Sequence, residues 1–322
     1  LGCVIIYGGF TIVQGDNLTT TGDLFGYTMM ISMLFNPLRQ IADKFNVMQM
    51  GIVAADRVFE ILDQDELIQS EGQITAPAFK GAIDFKNVDF SYSNGKKVIN
   101  NINLNIKAGQ TVAFVGASGA GKSTIANLLS RFYDIQSGEI LIDGSNINDF
   151  TLESLRNQIA VVLQDVFLFS DSILNNIILD DKSITKEQVI RAAKEIGIND
   201  FIEKLPNGYD YNVKERGVML SSGQRQLIAF LRAYMSNPSI LILDEATSSI
   251  DTYSEELLQK AVEIITKDRT SIIIAHRLAT IINADLIVVM EQGRIVETGT
   301  HIQLIAKENG AYKNLYESQY AS

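Results

Sequence analysis

The sequence predicts an α/β fold: a mostly parallel sheet with an antiparallel β subdomain and an inserted helical subdomain, preceded by an all-α segment. Three observations predict it. Five short runs, 111–115, 159–163, 240–243, 271–275 and 286–290, are almost purely apolar and are separated by helical segments, as strands covered on both faces are. The stretch Asn101-Ile102-Asn103-Leu104-Asn105-Ile106 alternates strictly, the mark of a strand with one wet face, and Phe85, Val88, Phe90 and Tyr92 point to a second strand beside it. A glycine-containing run from Gly116 to Thr124 joins the first apolar run to Ile125, Leu128, Leu129 and Phe132, which share one helical face.

Along the chain, residues 1–15 carry no charge, and a second uncharged run covers 24–38. A membrane-crossing helix needs about 20 apolar residues, so both runs are short on their own. Charge placement favours membrane helices all the same. The connector carries Asp16 and Asp23, whereas Arg39, Lys44 and Arg57 follow the second run, in the sense of the positive-inside rule. Asn36-Pro37 predicts a kink, and Ile41, Phe45, Met48 and Ile52 continue a helical stripe suited to partner helices. Residues 1–62 therefore read as the end of a transmembrane domain. Residues 63–80, polar around Gly72 and Pro77, read as a linker, and a new domain covers 81–322. Within it, 171–232 turns helical, with Thr185 and Gln188 spaced as a capping box and Gly197 as a helix end.

Composition narrows the function classes. The chain has 322 residues, 46% of them apolar, enough for more than one domain. A net charge of −11 argues against a nucleic-acid partner, because binding through phosphate neutralisation needs basic surface. Cys3 is the only cysteine, which excludes an internal disulfide, and is expected to be a small buried apolar side chain. The chain starts at Leu1 inside an apolar run with no basic residues ahead of it, so it reads as a fragment and not as a signal peptide.

The chemistry begins at Gly116-Ala117-Ser118-Gly119-Ala120-Gly121-Lys122-Ser123-Thr124, which satisfies Gly-x-x-x-x-Gly-Lys-Ser between a buried strand and a helix. Glycines let backbone N–H groups turn toward phosphates, the helix N-terminus adds its dipole, Lys122 meets β and γ oxygens, and Ser123 is a magnesium ligand. Asp244 ends an apolar strand, where a carboxylate needs a cation, and the adjacent Glu245 is the candidate base for the attacking water. A second run, Leu220-Ser221-Ser222-Gly223-Gln224, lies shortly before them.

Taken in this order, these motifs make residues 81–322 resemble the nucleotide-binding domain of an ABC transporter, a P-loop NTPase, while 1–62 resemble the last membrane helices of the exporter branch. The resemblance implies ATP and Mg²⁺, the latter held by Ser123, Gln164 and Asp244. It implies that Tyr92 stacks on adenine, although its alternation also suits a plain strand aromatic. Gln164 would sense the γ-phosphate, and His276 would contact that phosphate beside Glu245. Residues Leu220 to Gln224 would complete the site of a second subunit, and Ser248 and Asp251 would lie in a loop crossing between sites. Glu215 would belong to a loop touching the partner's membrane domain, and His301 is expected to be structural. Two departures from the family pattern stand out: Ser222 and Lys214 each replace a glycine. If Ser222 needed positive φ, the cost would be about 1 kcal/mol, with weaker binding on that side of the site.

The function implied is that of an ATP-hydrolysing subunit of an exporter. It would pair with a second half-transporter, favoured to be an identical copy, in contact with membrane lipid and moving an unidentified substrate. Such a chain would lie in the cell membrane as a multi-pass protein with its ATPase domain in the cytoplasm. The rival from another class is a soluble ABC ATPase acting on nucleic acid or ribosomes, and the uncharged runs and acidic balance oppose it. A nonhydrolysing scaffold ranks behind both, because Glu245 and His276 are present.

Overall fold

The computed structural model describes residues 2–14, 20–63, 72–92, 95–179, 181–244, 252–275 and 278–320. The chain divides into two compact units, Leu1–Leu67 and Ile68–Ser322.

The first unit holds α1 (Gly2–Val13) and α2 (Thr21–Leu62). A capping box starts α2: the Thr20 hydroxyl accepts from the Asp23 N–H at 3.2 Å, and the Asp23 carboxylate accepts from the Thr20 N–H at 2.9 Å. The helix runs through Pro37 as one element. Neither helix buries a residue, and Ile41, Phe45, Met48 and Ile52 are all exposed. Cys3 is likewise exposed, contrary to the burial expected of it, because α1 has no packed face to hide it in.

No helix among the described residues is long and apolar enough to cross a membrane. The physical reason is length. At about 1.5 Å per residue, the 12 residues of α1 span about 18 Å of a hydrocarbon core about 30 Å thick. In α2 the uncharged stretch is closed off by Asp23 and Arg39.

In the second unit, β1 (Ile83–Ser91) and β2 (Lys97–Ile106) pair antiparallel, Ile83 opposite Ile106 and Phe85 opposite Leu104. Ile99, Ile102, Leu104 and Ile106 lie in the core, and Asn101, Asn103 and Asn105 are left outside. The first buried strand, β3 (Thr111–Val115), leads through the glycine loop into α3 (Lys122–Leu129). Here one expectation fails: Phe132 lies beyond the end of α3 and is exposed, because the helix stops at Ser130 and Arg131 takes φ 51°.

Next come β4 (Ser137–Ile142), β5 (Ser145–Asn146), α4 (Leu152–Asn157) and β6 (Ile159–Val162). The helical insertion follows as α5 (Ile173–Ile178), α6 (Lys186–Ile196), α7 (Asn199–Glu203) and α8 (Ser222–Met235). The predicted capping box of Thr185 and Gln188 opens α6, and Gly197 closes it at φ 84°. The remainder is β7 (Ile240–Asp244), α9 (Thr252–Ile265), β8 (Thr270–Ile274), α10 (Leu278–Ile282), β9 (Leu286–Glu291), β10 (Arg294–Gly299), α11 (His301–Ile305) and α12 (Ala311–Tyr320).

Two sheets result. One has four strands in the order β2-β1-β4-β5, the other six in the order β10-β9-β3-β8-β7-β6. In the larger sheet every pairing is parallel except the edge hairpin of β9 and β10. The five strands expected from apolar runs are its five parallel members, and Val112, Phe114, Ile242, Leu243 and Ile272 are essentially inaccessible. One core cluster lies between this sheet and the small one, the other between it and the helical insertion.

The expected linker is less free than its polar composition implies. From residue 72 onward it lies against 143–154. The Asp143 carboxylate accepts from the N–H groups of Lys80 (2.6 Å), Gly81 (3.1 Å) and Ala82 (2.9 Å). The Ala76 N–H donates to the Ser154 hydroxyl at 2.9 Å, and Phe79 packs edge-on against Phe150. A Cβ at Gly72 would stand 2.1 Å from the Phe150 carbonyl oxygen, so only glycine passes there.

Candidate functional site

A cavity of about 520 Å³ opens where β3 enters α3, lined by Tyr92, Val98, Ser118, Gly119, Gly121, Lys122, Ser123, Thr124, Gln164, Asp244 and Ile274. The sheet order explains the convergence. Asp244 ends β7 and Ile274 ends β8, both pointing the same way as β3, and Gln164 follows β6, so the loops at one edge of four parallel strands meet.

The glycine loop is shaped by contacts that side chains would block. At Gly116, φ is 148° and a Cβ would stand 2.2 Å from the Met290 carbonyl oxygen, so the loop rests directly on β9. Further along, the Gly293 N–H donates to the Ala120 carbonyl at 3.1 Å and fixes the loop to the turn between β9 and β10. The N-cap of α3 is Gly121, which offers no side-chain acceptor, so the first N–H groups of the helix remain available to an anion.

Lys122 is 7% exposed, and its ammonium donates to the carbonyls of Gly116 (2.8 Å) and Ala117 (3.0 Å). Burial lowers its pKa below the ordinary lysine value, and the charge of Asp244 works in the opposite sense. The Ser123 hydroxyl donates to the Asp244 carboxylate at 3.2 Å across 121 residues of sequence. A hydroxyl, a carboxylate and the Gln164 amide on one cavity form an all-oxygen donor set of the kind magnesium takes. Tyr92 sits just past the end of β1, its hydroxyl 3.3 Å from that of Thr124.

The cavity thus gathers Tyr92, Ser118, Gly119, Gly121, Lys122, Ser123, Thr124, Gln164 and Asp244 from the predicted set, with Gly116, Ala117 and Ala120 shaping the loop behind them. Glu245, Ser248, Asp251 and His276 lie outside the described residues. The run Leu220 to Gln224 does not line the cavity and instead starts α8: the Ser221 hydroxyl accepts from the Gln224 N–H at 3.2 Å, and the Gln224 amide oxygen accepts from the Ser221 N–H at 2.9 Å. That box uses a lone pair of Ser221 and leaves its proton free to donate.

Ser222 is the first residue of α8 with ordinary helical backbone, so the cost foreseen for positive φ does not arise. The unusual backbone is at Lys214, with φ 62° and ψ −172°. Val98 and Ile274 complete the cavity and were not anticipated. Ile274 is one more apolar residue in a buried run, and Val98 faces the site only because β2 folds back over β1, which no spacing announces.

Residues 99–248 match the ABC transporter family. The chain is 47% identical over 321 residues to Staphylococcus aureus proteins, from strains NCTC 8325 and COL among others, named as multidrug export ATP-binding/permease proteins. The alignment takes in 99% of this chain and 55% of each relative, so the chain spans about half the length of the curated relatives it matches. Among solved structures, a bacterial Atm1-family ABC exporter with ATP bound superposes with a TM-score of 0.76 at 37% identity, covering 99% of this chain and 56% of that one.

Proposed function

We propose that the chain is a member of the ABC transporter family, which residues 99–248 match, and that it is the ATP-hydrolysing part of a membrane exporter. Residues 81–322 are assigned as the ATPase domain facing the cytoplasm, 63–80 as the connector, and 1–62 as the end of a multi-pass membrane domain. The observation that carries the proposal is the single cavity uniting the Lys122 ammonium, the Ser123–Asp244 pair and the Tyr92 ring. The names of the relatives support export, and a net charge of −11 opposes the nucleic-acid alternative.

Each side chain has a task. The glycine loop and the α3 N-terminus bind the triphosphate, while Lys122 places its charge against the β and γ oxygens. Ser123, Asp244 and Gln164 would hold Mg²⁺, which supplies neutralisation of phosphate charge when bound. Glu245 takes the proton of the attacking water as the bond between the γ-phosphorus and the bridging oxygen breaks, and the family resemblance assigns a γ-phosphate contact to His276. Ser221 and Gly223 of a second copy donate to the γ-phosphate, so one site needs two chains, and the family resemblance assigns Ser248 and Asp251 to a loop crossing between the two sites. ATP would close an identical pair of chains head to tail and hydrolysis would reopen them, driving substrate across the membrane.

Light scattering on the Glu245→Gln chain in detergent, with and without ATP, tests this. The expected result is a dimer that forms with ATP and dissociates on its removal, lost in Glu245→Gln combined with Lys122→Ala. A chain that fails to bind ATP at all would overturn the proposal.

A further inference from the structure

Tyr92 does not stand alone in the lining of the cavity. Its ring meets Phe90 edge-on at 4.8 Å and 85°, and Tyr133 edge-on at 5.1 Å and 88°, while Phe90 and Tyr133 lie 5.7 Å apart. The three differ in burial. Phe90, 3% exposed, belongs to the core, whereas Tyr133 is 44% exposed.

The turn presenting Tyr133 is held from several sides. The Arg131 guanidinium, itself buried, donates to the Phe150 carbonyl at 3.3 Å and pairs with Asp134 at 3.2 Å. Arg156 donates to the Arg131 carbonyl at 2.8 Å, and Gln136 reaches Asp89 and Ser91 at the end of β1. With its hydroxyl beside Thr124 and its ring between two edges, Tyr92 has little rotamer freedom left to lose when a base stacks on it.

We infer that Tyr133 is a positioning residue for base recognition: it fixes the Tyr92 ring for stacking on the nucleobase and touches no nucleotide itself. This rests on the cavity being the nucleotide site, and the experiment separates the two. Calorimetric affinities for ATP and for inorganic tripolyphosphate are measured on the parent chain, Tyr133→Ala, Tyr133→Phe and Tyr92→Ala.

The inference expects Tyr133→Ala to weaken ATP about three- to tenfold, the factor one aromatic pair is worth, and to leave tripolyphosphate unchanged. Tyr133→Phe keeps the ring and retains parental affinity. Adding Tyr133→Ala to Tyr92→Ala costs nothing more. ATP binding that is unchanged or tighter in Tyr133→Ala, an equal loss for both ligands, or a parent that does not prefer ATP to tripolyphosphate overturns the inference while leaving the phosphate site standing. A parent that binds neither ligand overturns the nucleotide site itself.

Discussion

At the scale of single residues, Lys214 has a strained backbone. Its φ of 62° and ψ of −172° fall in a region essentially reserved for glycine, at a cost of order 1–3 kcal/mol. Lys214→Gly is expected to raise the melting temperature of the second unit by about 2–4 °C, after allowing for glycine's extra freedom in the unfolded chain. An unchanged or lower midpoint by scanning calorimetry would show that the surroundings have already absorbed the strain. Ser222→Gly exchanges an ordinary first helical residue for a more flexible one, so apparent ATP affinity is expected to stay within about twofold in a titration. Tyr209 donates to the Asn199 side chain at 2.9 Å, and burial, with the charge of Glu203 second, pushes its pKa up to about 12. The folded state therefore holds this proton more tightly than the unfolded chain does. Its contribution is complete below pH 10 and is lost as pH rises from about 10 to 12, a loss that Tyr209→Phe should diminish in alkaline unfolding curves.

Among the elements, legibility followed periodicity. The five parallel strands announced themselves because a run buried on both faces can contain almost nothing polar, and α6 because both its caps are written in side chains. The edge hairpins were missed, though their turns are visible in the sequence: Asp143-Gly144 joins β4 to β5 with φ of 50° and 86°, and Gln292-Gly293 joins β9 to β10 with 48° and 77°. The segment 72–82 could not be read at all, because what orders it is distant in sequence. Asp143 lies about 60 residues beyond the amides that it gathers. Replacing it by asparagine leaves one acceptor oxygen for three donors. A loss of about 1–2 kcal/mol is expected, seen as a melting point lower by roughly 3–6 °C, with faster hydrogen exchange at Lys80 to Ala82 as the local signature. Unaltered exchange there would assign the ordering to Phe79 and Gly72 instead.

For the molecule as a whole, the composite site was legible to the extent that its chemistry is confined to short motifs, and Val98 marks where that ends: it reaches the cavity through the folding back of one strand over another. The expected membrane character of the first unit came from uncharged runs, and there the described helices fall short in length. The order of strands carries a consequence for biosynthesis. Lys122 follows β3 and Asp244 ends β7, yet β8 lies between those strands, and the partners of β3 are β8 and β9. While a ribosome has not yet translated Thr270, the strand that carries the phosphate loop has no neighbour in its sheet, and β6 and β7 form a separate ladder. The nascent chain thus passes through an interval, between Asp244 and Thr270, in which both motif residues have been made but the strand behind the phosphate loop lacks its neighbours, and residues from 270 onward decide when the cavity first forms.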